Sequence, residues 1–140
     1  MDDGPGEHRR VLLKLSGEVL AGPGGRGFHR ETVYGVARVL LQASEKGFQI
    51  GVVTGGGNFA RGRELAAFTR TTADYMGMLA TVMNCLAVSD AVRRHGGRTA
   101  VLSSIPVPEA GAEVFSPQRA RELFDQGAVL FFAGGTGNPL

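Results

Sequence analysis

Three glycine-rich segments contain the residues whose types and spacing could do chemistry. They read KLSGE (14–18), VVTGGGN (52–58) and FFAGGTGNP (131–139), and each begins within or at the end of an apolar run. Backbone N–H groups in such turns bind phosphate oxygens, and glycine lets an anion approach because it has no Cβ. One glycine turn after a strand is commonly only a turn. Three that converge on one edge of a sheet predict a phosphate or other anion site.

Two basic side chains accompany these glycines. Lys14 interrupts an apolar strand pattern and precedes Ser16 and Gly17, so its ammonium could neutralise phosphate oxygens. Arg61 follows the triple glycine by four residues, one turn into the next predicted helix, and its planar guanidinium suits phosphate. The alternative interpretations are an edge-strand lysine that points to water and a solvated helix arginine.

Asp74 is a third candidate, placed just before the predicted long helix. Its carboxylate could accept hydrogen bonds from the hydroxyl groups of a sugar. The alternative is a helix N-cap, a role that one of Thr71, Thr72 or Asp74 is expected to fill.

Several other kinds of chemistry find no support in the sequence. There is no GxxxxGK[ST] motif, and the GxGxxG match at Gly22, Gly24 and Gly27 does not directly follow a strand, so a dinucleotide site is discarded. The three histidines and Cys85 lack the spacing of metal ligands, so no protein metal site is predicted. No candidate base accompanies Ser16, which leaves acyl transfer unsupported.

The elements that must position these residues alternate along the chain. Apolar runs predict strands at 11–17, 48–53, 98–103 and 128–135, the first of them buried. Helical signals predict helices at 31–47, 58–68, 75–97 and 116–127. This order predicts an α/β fold with a mostly parallel sheet and helices on both faces, whose ligands bind at the carboxyl ends of the strands. The segment AGPGGRG (21–27) is predicted to be a surface loop.

Composition limits the class of protein. The chain has 140 residues, 43% of them hydrophobic and 20% charged, which is typical of one globular domain. A net charge of +2, with no basic run longer than two residues, argues against a nucleic-acid surface. A single cysteine, no signal-like start and no apolar run of membrane length predict a cytoplasmic protein with no membrane partner.

Four segments together resemble a known family. They are VLLKLSGE (11–18), VVTGGGNFARG (52–62), ADYMGMLATVMNCLAVSDA (73–91) and AGGTGNP (133–139). In order and spacing they are similar to the bacterial-type uridylate (UMP) kinases of the amino acid kinase superfamily. The resemblance covers nearly all 140 residues, and DYMGMLATVMN is its most specific part because other superfamily members lack that helix. It implies a three-layer α/β/α sandwich, of which this chain is the N-terminal portion of a single domain, with phosphate-binding loops and the start of the UMP site.

The resemblance also implies an activity, which is transfer of the γ-phosphoryl group of Mg-ATP to UMP in pyrimidine nucleotide biosynthesis. It assigns catalysis to Lys14 and Arg61, and ATP contacts to Lys14, Leu15, Ser16, Gly17, Gly57 and Arg61. It assigns UMP contacts to Gly56, Asp74, Thr136, Gly137, Asn138 and Pro139. Mg²⁺ is implied as Mg-ATP, GTP and UTP as effectors, and loop 22–27 as the region that responds to GTP. The implied assembly is a homohexamer built from dimers through the long helices.

The chain departs from the family at its end. The family continues from Gly-Asn-Pro into a second half that includes the ATP base site and a catalytic aspartate, and this sequence contains neither. Two interpretations follow: a portion of a UMP kinase, or a truncated, catalytically incompetent nucleotide-binding or interaction protein of the same family. A relative that phosphorylates acyl or carbamoyl groups is a third, and the DYMGMLATVMN helix argues against it.

Overall fold

A computed structural model describes residues 9–135 of the chain. The strands of this part are β1 (Arg9–Leu15), β2 (Phe48–Thr54), β3 (Thr99–Ser103), β4 (Ala112–Val114) and β5 (Val129–Ala133). Its α-helices are α1 (Gly17–Ala21), α2 (Arg30–Glu45), α3 (Gly62–Leu65), α4 (Arg70–Arg94) and α5 (Pro117–Asp125). Short 3-10 turns follow α1 at Gly22–Gly24 and precede β4 at Pro108–Ala110.

The strands form one sheet in the order β1-β2-β5-β3-β4, and every pairing between neighbouring strands is parallel. The chain runs outward from β2 to β3 and β4, then returns through α5 to insert β5 between β2 and β3. Helices α2 and α4 cover one face of the sheet, and α5 covers the other. The predicted three-layer α/β/α fold with a parallel sheet is therefore confirmed for this part of the chain.

Two apolar clusters hold the layers together. The larger one joins α2 and α4 to the sheet and includes Val88 and Phe131. The smaller one joins α5 to the opposite face and includes Leu123 and Leu130. Full burial of one such side chain stabilises a fold by roughly 1.5–3 kcal/mol. Because β5 contributes to both clusters, it is buried on both faces, as its continuous apolar sequence predicts.

Helix ends follow signals that are visible in the sequence. Ser116 caps α5: its Oγ accepts a hydrogen bond from Arg119 N at 3.0 Å, and Pro117 occupies the first helical position, as predicted. Helix α2 ends at Glu45, and Gly47 adopts φ +98°, the left-handed conformation that favours glycine just after a helix.

Two local predictions are wrong, and one strand is absent from the prediction. The long helix begins at Arg70 rather than 75, so Asp74 lies inside α4 and Thr69 is the N-cap residue instead of the three candidates. The predicted helix over 58–68 shortens to α3, which leaves Arg61 outside the helix as its N-cap residue. Strand β4 was not predicted because three residues are too few to show a period-2 pattern.

Strand β1 is more exposed than its apolar sequence predicts. It pairs with β2 and, among residues 9–135, with no other strand, so it forms an edge of the described sheet. Leu12 is 67% exposed and Leu13 is 40% exposed. The prediction of a buried strand is therefore wrong for the described residues, because an apolar run by itself does not show what covers it.

Helix α4 is long and apolar enough to cross a membrane by length and composition, contrary to the prediction that no apolar run reaches that length. Half of its apolar window is buried inside the protein, where the helix packs on the sheet and on α2. A core helix passes the same test, so the finding is weak evidence for a membrane span.

Candidate functional site

The glycine segments after β1 and β2 touch at the carboxyl edge of the sheet. The two strands pair in register up to Leu15 and Thr54, and Gly55 N then donates a hydrogen bond to Leu15 O at 2.9 Å. A Cβ built on Gly17 would lie 2.7 Å from both the Gly55 carbonyl oxygen and Asn58 Oδ1. No side chain fits in that space, so glycine at position 17 is what lets the two segments meet.

The third glycine segment starts at the same edge, after β5, which lies next to β2. Gly134 N donates a hydrogen bond to Thr81 Oγ1 at 2.8 Å, and Ser104 Oγ donates to Gly134 O at 2.8 Å. The predicted UMP contacts later in this segment lie outside the described residues: Thr136, Gly137, Asn138 and Pro139. The convergence predicted from the sequence is therefore present as far as the segments are described.

Two members of the triple glycine have close protein neighbours. A Cβ built on Gly56 would lie 2.7 Å from Ala80 Cβ and 3.1 Å from Gly77 O, so the backbone packs directly on α4. Side-chain atoms of Glu18 would lie 3.3–3.5 Å from a Cβ built on Gly57. Packing on α4 thus requires a glycine at position 56 whether or not a ligand approaches it, a reason that sequence reasoning did not supply.

Lys14 lies on β1 near this edge, paired in register with Val53. Its side chain is exposed, and it forms no hydrogen bond or ion pair with the residues between 9 and 135. The position on an edge strand also matches the alternative interpretation of a lysine that points to water. The proposed role of this ammonium in phosphate binding stays a prediction.

Arg61 binds backbone carbonyl groups. Its Nε donates a hydrogen bond to Gly57 O at 2.9 Å, and its Nη2 donates to Gly25 O. Arg61 therefore lies outside the helix, and its side chain is not simply solvated. The side chain links the triple glycine to loop 22–27. A contact between Arg61 and ATP stays a prediction.

Loop 22–27 is bonded to the same region at further points. Gly27 N donates to Asn58 O at 3.0 Å, and Asn58 Nδ2 donates to Gly27 O at 2.8 Å. Arg26 forms an ion pair with Glu64, and its hydrogen bond holds the pKa of the Glu64 carboxyl below the ordinary value. The loop lies at the surface, as predicted, and it contacts the candidate site through backbone groups.

Asp74 lies at the start of an exposed stretch of α4, in an open cleft that Leu65 and Phe68 also line. Its carboxylate forms no hydrogen bond with the part of the chain that the structure describes. Residues three apart are neighbours on a helix surface, so Asp74 adjoins Gly77, against which Gly56 packs. A contact between Asp74 and UMP stays a prediction.

Comparison with known proteins identifies the family. The profile of the amino acid kinase family matches residues 9–140. This chain belongs to that family. The uridylate kinase of Rhodopseudomonas palustris is 46% identical over 134 residues, which cover 94% of this chain and 56% of the relative. The uridylate kinase of Zymomonas mobilis is 51% identical over 132 residues, which cover 93% of this chain and 54% of the relative.

Solved structures of UMP kinases have the same fold as this member of the amino acid kinase family. The enzyme of Bacillus anthracis superposes with a TM-score of 0.85 at 33% identity, over 95% of this chain and 55% of that one. The enzyme of Ureaplasma parvum superposes with a TM-score of 0.85 at 29% identity, over 96% and 57%. The resemblance predicted from four motifs is confirmed. The chain spans about half the length of the curated relatives it matches.

Three buried polar residues of this amino acid kinase domain escaped the sequence analysis: Asn58, Thr81 and Asn84. Thr81 Oγ1 accepts from Gly134 N, and Asn84 Nδ2 donates to Gly55 O at 2.7 Å. Asn58, at the end of the second glycine segment, donates to Gly27 O. A usable signal exists in the sequence, because Thr81 and Asn84 interrupt the otherwise apolar stretch 76–88. A buried polar group needs a partner, and here the partner is the backbone of the candidate site.

The site residues fit a magnesium ion that arrives with a nucleotide. Among residues 9–135, no three His, Cys, Asp or Glu side chains group closely enough to hold a metal ion. Magnesium bound through nucleotide phosphates needs only one or two protein carboxylates, and Glu18 places one beside Gly57.

Proposed function

We propose that this chain carries the phosphate-binding loops and part of the UMP site of a UMP kinase. The reaction transfers the γ-phosphoryl group of Mg-ATP to UMP and gives UDP and ADP. The observation that supports it best is the direct packing of Gly17 on the Gly55 backbone, which brings the strand end that carries Lys14 beside the triple glycine. The names of the relatives, uridylate kinases at 46% and 51% identity, support the substrate class.

Phosphoryl transfer needs positioning and charge neutralisation more than covalent chemistry. In this proposal the ATP phosphates contact the end of β1 and the turn after it: Lys14, Leu15, Ser16 and Gly17. Lys14 neutralises charge on the transferred group, because it is an ammonium with no partner among the described residues. Gly57 and Arg61 contact ATP from the second segment. Arg61 must then share its guanidinium between ATP and the carbonyl oxygens of Gly25 and Gly57.

UMP occupies the neighbouring position in this proposal. Gly56 contacts it through the backbone, and the Asp74 carboxylate accepts hydrogen bonds from the nucleoside. The remaining contacts come from the third glycine segment: Thr136, Gly137, Asn138 and Pro139. The support is geometric, because Gly56 packs on Gly77, which lies three residues after Asp74 on α4.

The proposal includes the setting of the reaction. Mg²⁺ bound to ATP neutralises phosphate charge, and the nearby protein carboxylate is that of Glu18, beside Gly57. GTP and UTP are proposed effectors, with loop 22–27 as the responding region because it is bonded to Asn58 and Arg61.

The proposed assembly is a cytoplasmic homo-oligomer, a hexamer built from dimers. Its subunits would pack through an exposed apolar stripe of α4: Tyr75, Met76, Leu79 and Met83. Neither nucleic acid nor a membrane is a proposed partner.

A second candidate function is nucleotide binding without turnover, in a protein that serves as a binding or interaction module. The observation that favours it is the exposed apolar surface of the edge strand β1, where Leu12 and Leu13 could be covered by another protein segment.

Release of ADP by the purified chain, measured with Mg-ATP in the presence and absence of UMP, tests the proposal. Lys14→Ala should abolish UMP-dependent release. Lys46→Ala is the matched control, because Lys46 is an exposed lysine just before β2, at the opposite edge of the sheet, and it should behave like the unaltered chain.

Three outcomes separate the two candidates. UMP-dependent release that only Lys14→Ala abolishes supports the kinase. Binding of Mg-ATP by calorimetry without any release supports the nucleotide-binding module. A folded chain that neither binds Mg-ATP nor releases ADP contradicts both.

A further inference from the structure

Asn58 and Asn84 form a reciprocal amide pair beneath the glycine segments. Asn58 Nδ2 donates to Asn84 Oδ1 at 3.0 Å, and Asn84 Nδ2 donates to Asn58 Oδ1 at 2.8 Å. The two residues are 1% and 0% exposed. Asn58 comes from the end of the triple-glycine segment and Asn84 from the buried face of α4, so the pair joins the loop after β2 to this helix.

The remaining N–H group of each amide binds a loop carbonyl. Asn84 Nδ2 donates to Gly55 O at 2.7 Å, and Asn58 Nδ2 donates to Gly27 O at 2.8 Å. Asn58 Oδ1 also lies where a Cβ of Gly17 would stand, 2.7 Å from that position. Two side chains thus contact three backbone segments: the turn at Gly17 and the triple glycine, which the proposal places at the ATP phosphates, and loop 22–27.

Packing alone does not explain two amides at these positions. Burial of an amide without partners destabilises a fold, and apolar residues of similar volume fill a core without that penalty. Here every amide hydrogen of the pair has an acceptor, and residues 9–135 contain no buried side-chain nitrogen or oxygen without a partner. A fully bonded amide pair fixes distances and directions that an apolar contact leaves free.

We propose that Asn58 and Asn84 are positioning residues of the phosphate site. They hold the backbone of residues 55–57 at a fixed distance from Gly17, and they link its position to that of loop 22–27. This inference rests on the proposed function, because the phosphate site is the one assigned there. It goes beyond that function in two ways. Two residues that do not contact the ligand influence the affinity for ATP. A change in the position of loop 22–27 also alters the position of the triple glycine, because Asn58 binds both.

The test compares Asn84→Ala with Ser89→Ala in the 140-residue chain. Ser89 is also buried on α4, and its Oγ shares a hydrogen bond with Thr99 away from the glycine segments. Both variants remove buried polar groups from one helix, so Ser89→Ala controls for general loss of stability. Two quantities are measured well below the unfolding temperature of every sample: amide hydrogen exchange by NMR and the Kd for Mg-ATP by calorimetry.

In Asn84→Ala we expect exchange at Gly55 and Gly27 to rise about tenfold relative to the β5 amides, the order expected when a buried hydrogen bond to a loop is lost. The Kd for Mg-ATP should rise by a similar factor. Ser89→Ala should leave both quantities within about twofold once the β5 amides are used as the reference. If Asn84→Ala does not fold, Asn84→Leu, which keeps most of the volume, carries the same expectation.

Two results would overturn the proposal. One is exchange at Gly55 and Gly27 that rises only in step with the β5 amides, which would make the pair a general core element. The other is a selective rise in exchange at Gly55 and Gly27 with an unchanged Kd for Mg-ATP, which would show that the pair does not affect the phosphate site. If the unaltered chain binds no Mg-ATP, the proposed function fails and the phosphate role fails with it, while the exchange measurement still decides whether the pair fixes the loops.

Discussion

At the scale of single residues, Gly17 is the position where the least change should do the most damage. A methyl group there would lie 2.7 Å from the Gly55 carbonyl oxygen and from Asn58 Oδ1, and the backbone cannot move away cheaply. Gly17→Ala should lower the free energy of unfolding by about 1–3 kcal/mol, as overpacking does, and should abolish Mg-ATP binding. Urea unfolding and calorimetry provide the two measurements.

Gly62→Ala is the matched control for this substitution. Nothing lies within 4 Å of a Cβ built on Gly62, and this glycine is the first residue of α3. The variant should be unchanged or more stable by about 0.4–1 kcal/mol, since alanine restricts the unfolded chain. Equal destabilisation of both variants would contradict the contact at Gly17.

The buried Cys85 thiol should make the stability of the fold depend on pH. Burial raises the pKa of the Cys85 thiol from 9.0 to about 11, against an opposing hydrogen bond with Thr54. The pKa of the thiol in the folded chain exceeds that in the unfolded chain. The contribution of the buried neutral thiol to stability is therefore complete below pH 9 and is lost as the pH rises from 9 toward 11. Cys85→Ala should lose about 1 kcal/mol less stability than the unaltered chain between pH 8 and pH 10. Urea unfolding at the two pH values measures the difference, and equal losses would show that the thiol is not desolvated.

At the scale of elements, α4 supports the candidate site through hydrogen bonds to its backbone. Its Thr81 accepts a hydrogen bond from Gly134 N and donates one to Met78 O at 2.6 Å. Thr81→Val keeps the shape but leaves the buried Gly134 N–H without its acceptor, so it should destabilise the fold by about 1–3 kcal/mol. Thr71→Val, on the exposed first turn of the same helix, should change the free energy of unfolding much less. Thermal and urea unfolding compare them, and equal effects would mean that the bond to Gly134 contributes little.

At the scale of the whole molecule, exposed apolar side chains predict association. Tyr75, Met76, Leu79 and Met83 form a stripe along α4, and helices commonly bury such stripes against one another. If α4 is the subunit contact, Leu79→Glu should shift the chain to lower apparent mass in sedimentation velocity. Gln42→Glu, at an exposed position of α2, is the charge-matched control and should not. A single species of unchanged mass in both variants would place the contact elsewhere, with the exposed Leu12 and Leu13 of β1 as the next surface to test.

Much of this protein could be predicted from its sequence because local signals agree with the fold. Alternating strand and helix patterns, with Ser116 and Pro117 at the start of α5, indicate a three-layer α/β/α arrangement. The glycines after the strands indicate the edge where a site forms, since the carboxyl ends of parallel strands lie together. These features depend on spacing along the chain, and spacing is what a sequence displays.

The tertiary structure alone determined which residues touch. No pattern along the chain shows that Gly17 faces Gly55, that Gly56 packs on Ala80, or that Asn58 and Asn84 pair across 26 positions. Each contact joins segments that come together only when β1, β2 and α4 take their places in the layers, because a contact depends on distance in space and not on order in sequence. For the same reason the sequence misassigned Arg61 to a helix and β1 to the interior. Helix ends and strand exposure follow from the neighbours that the fold supplies.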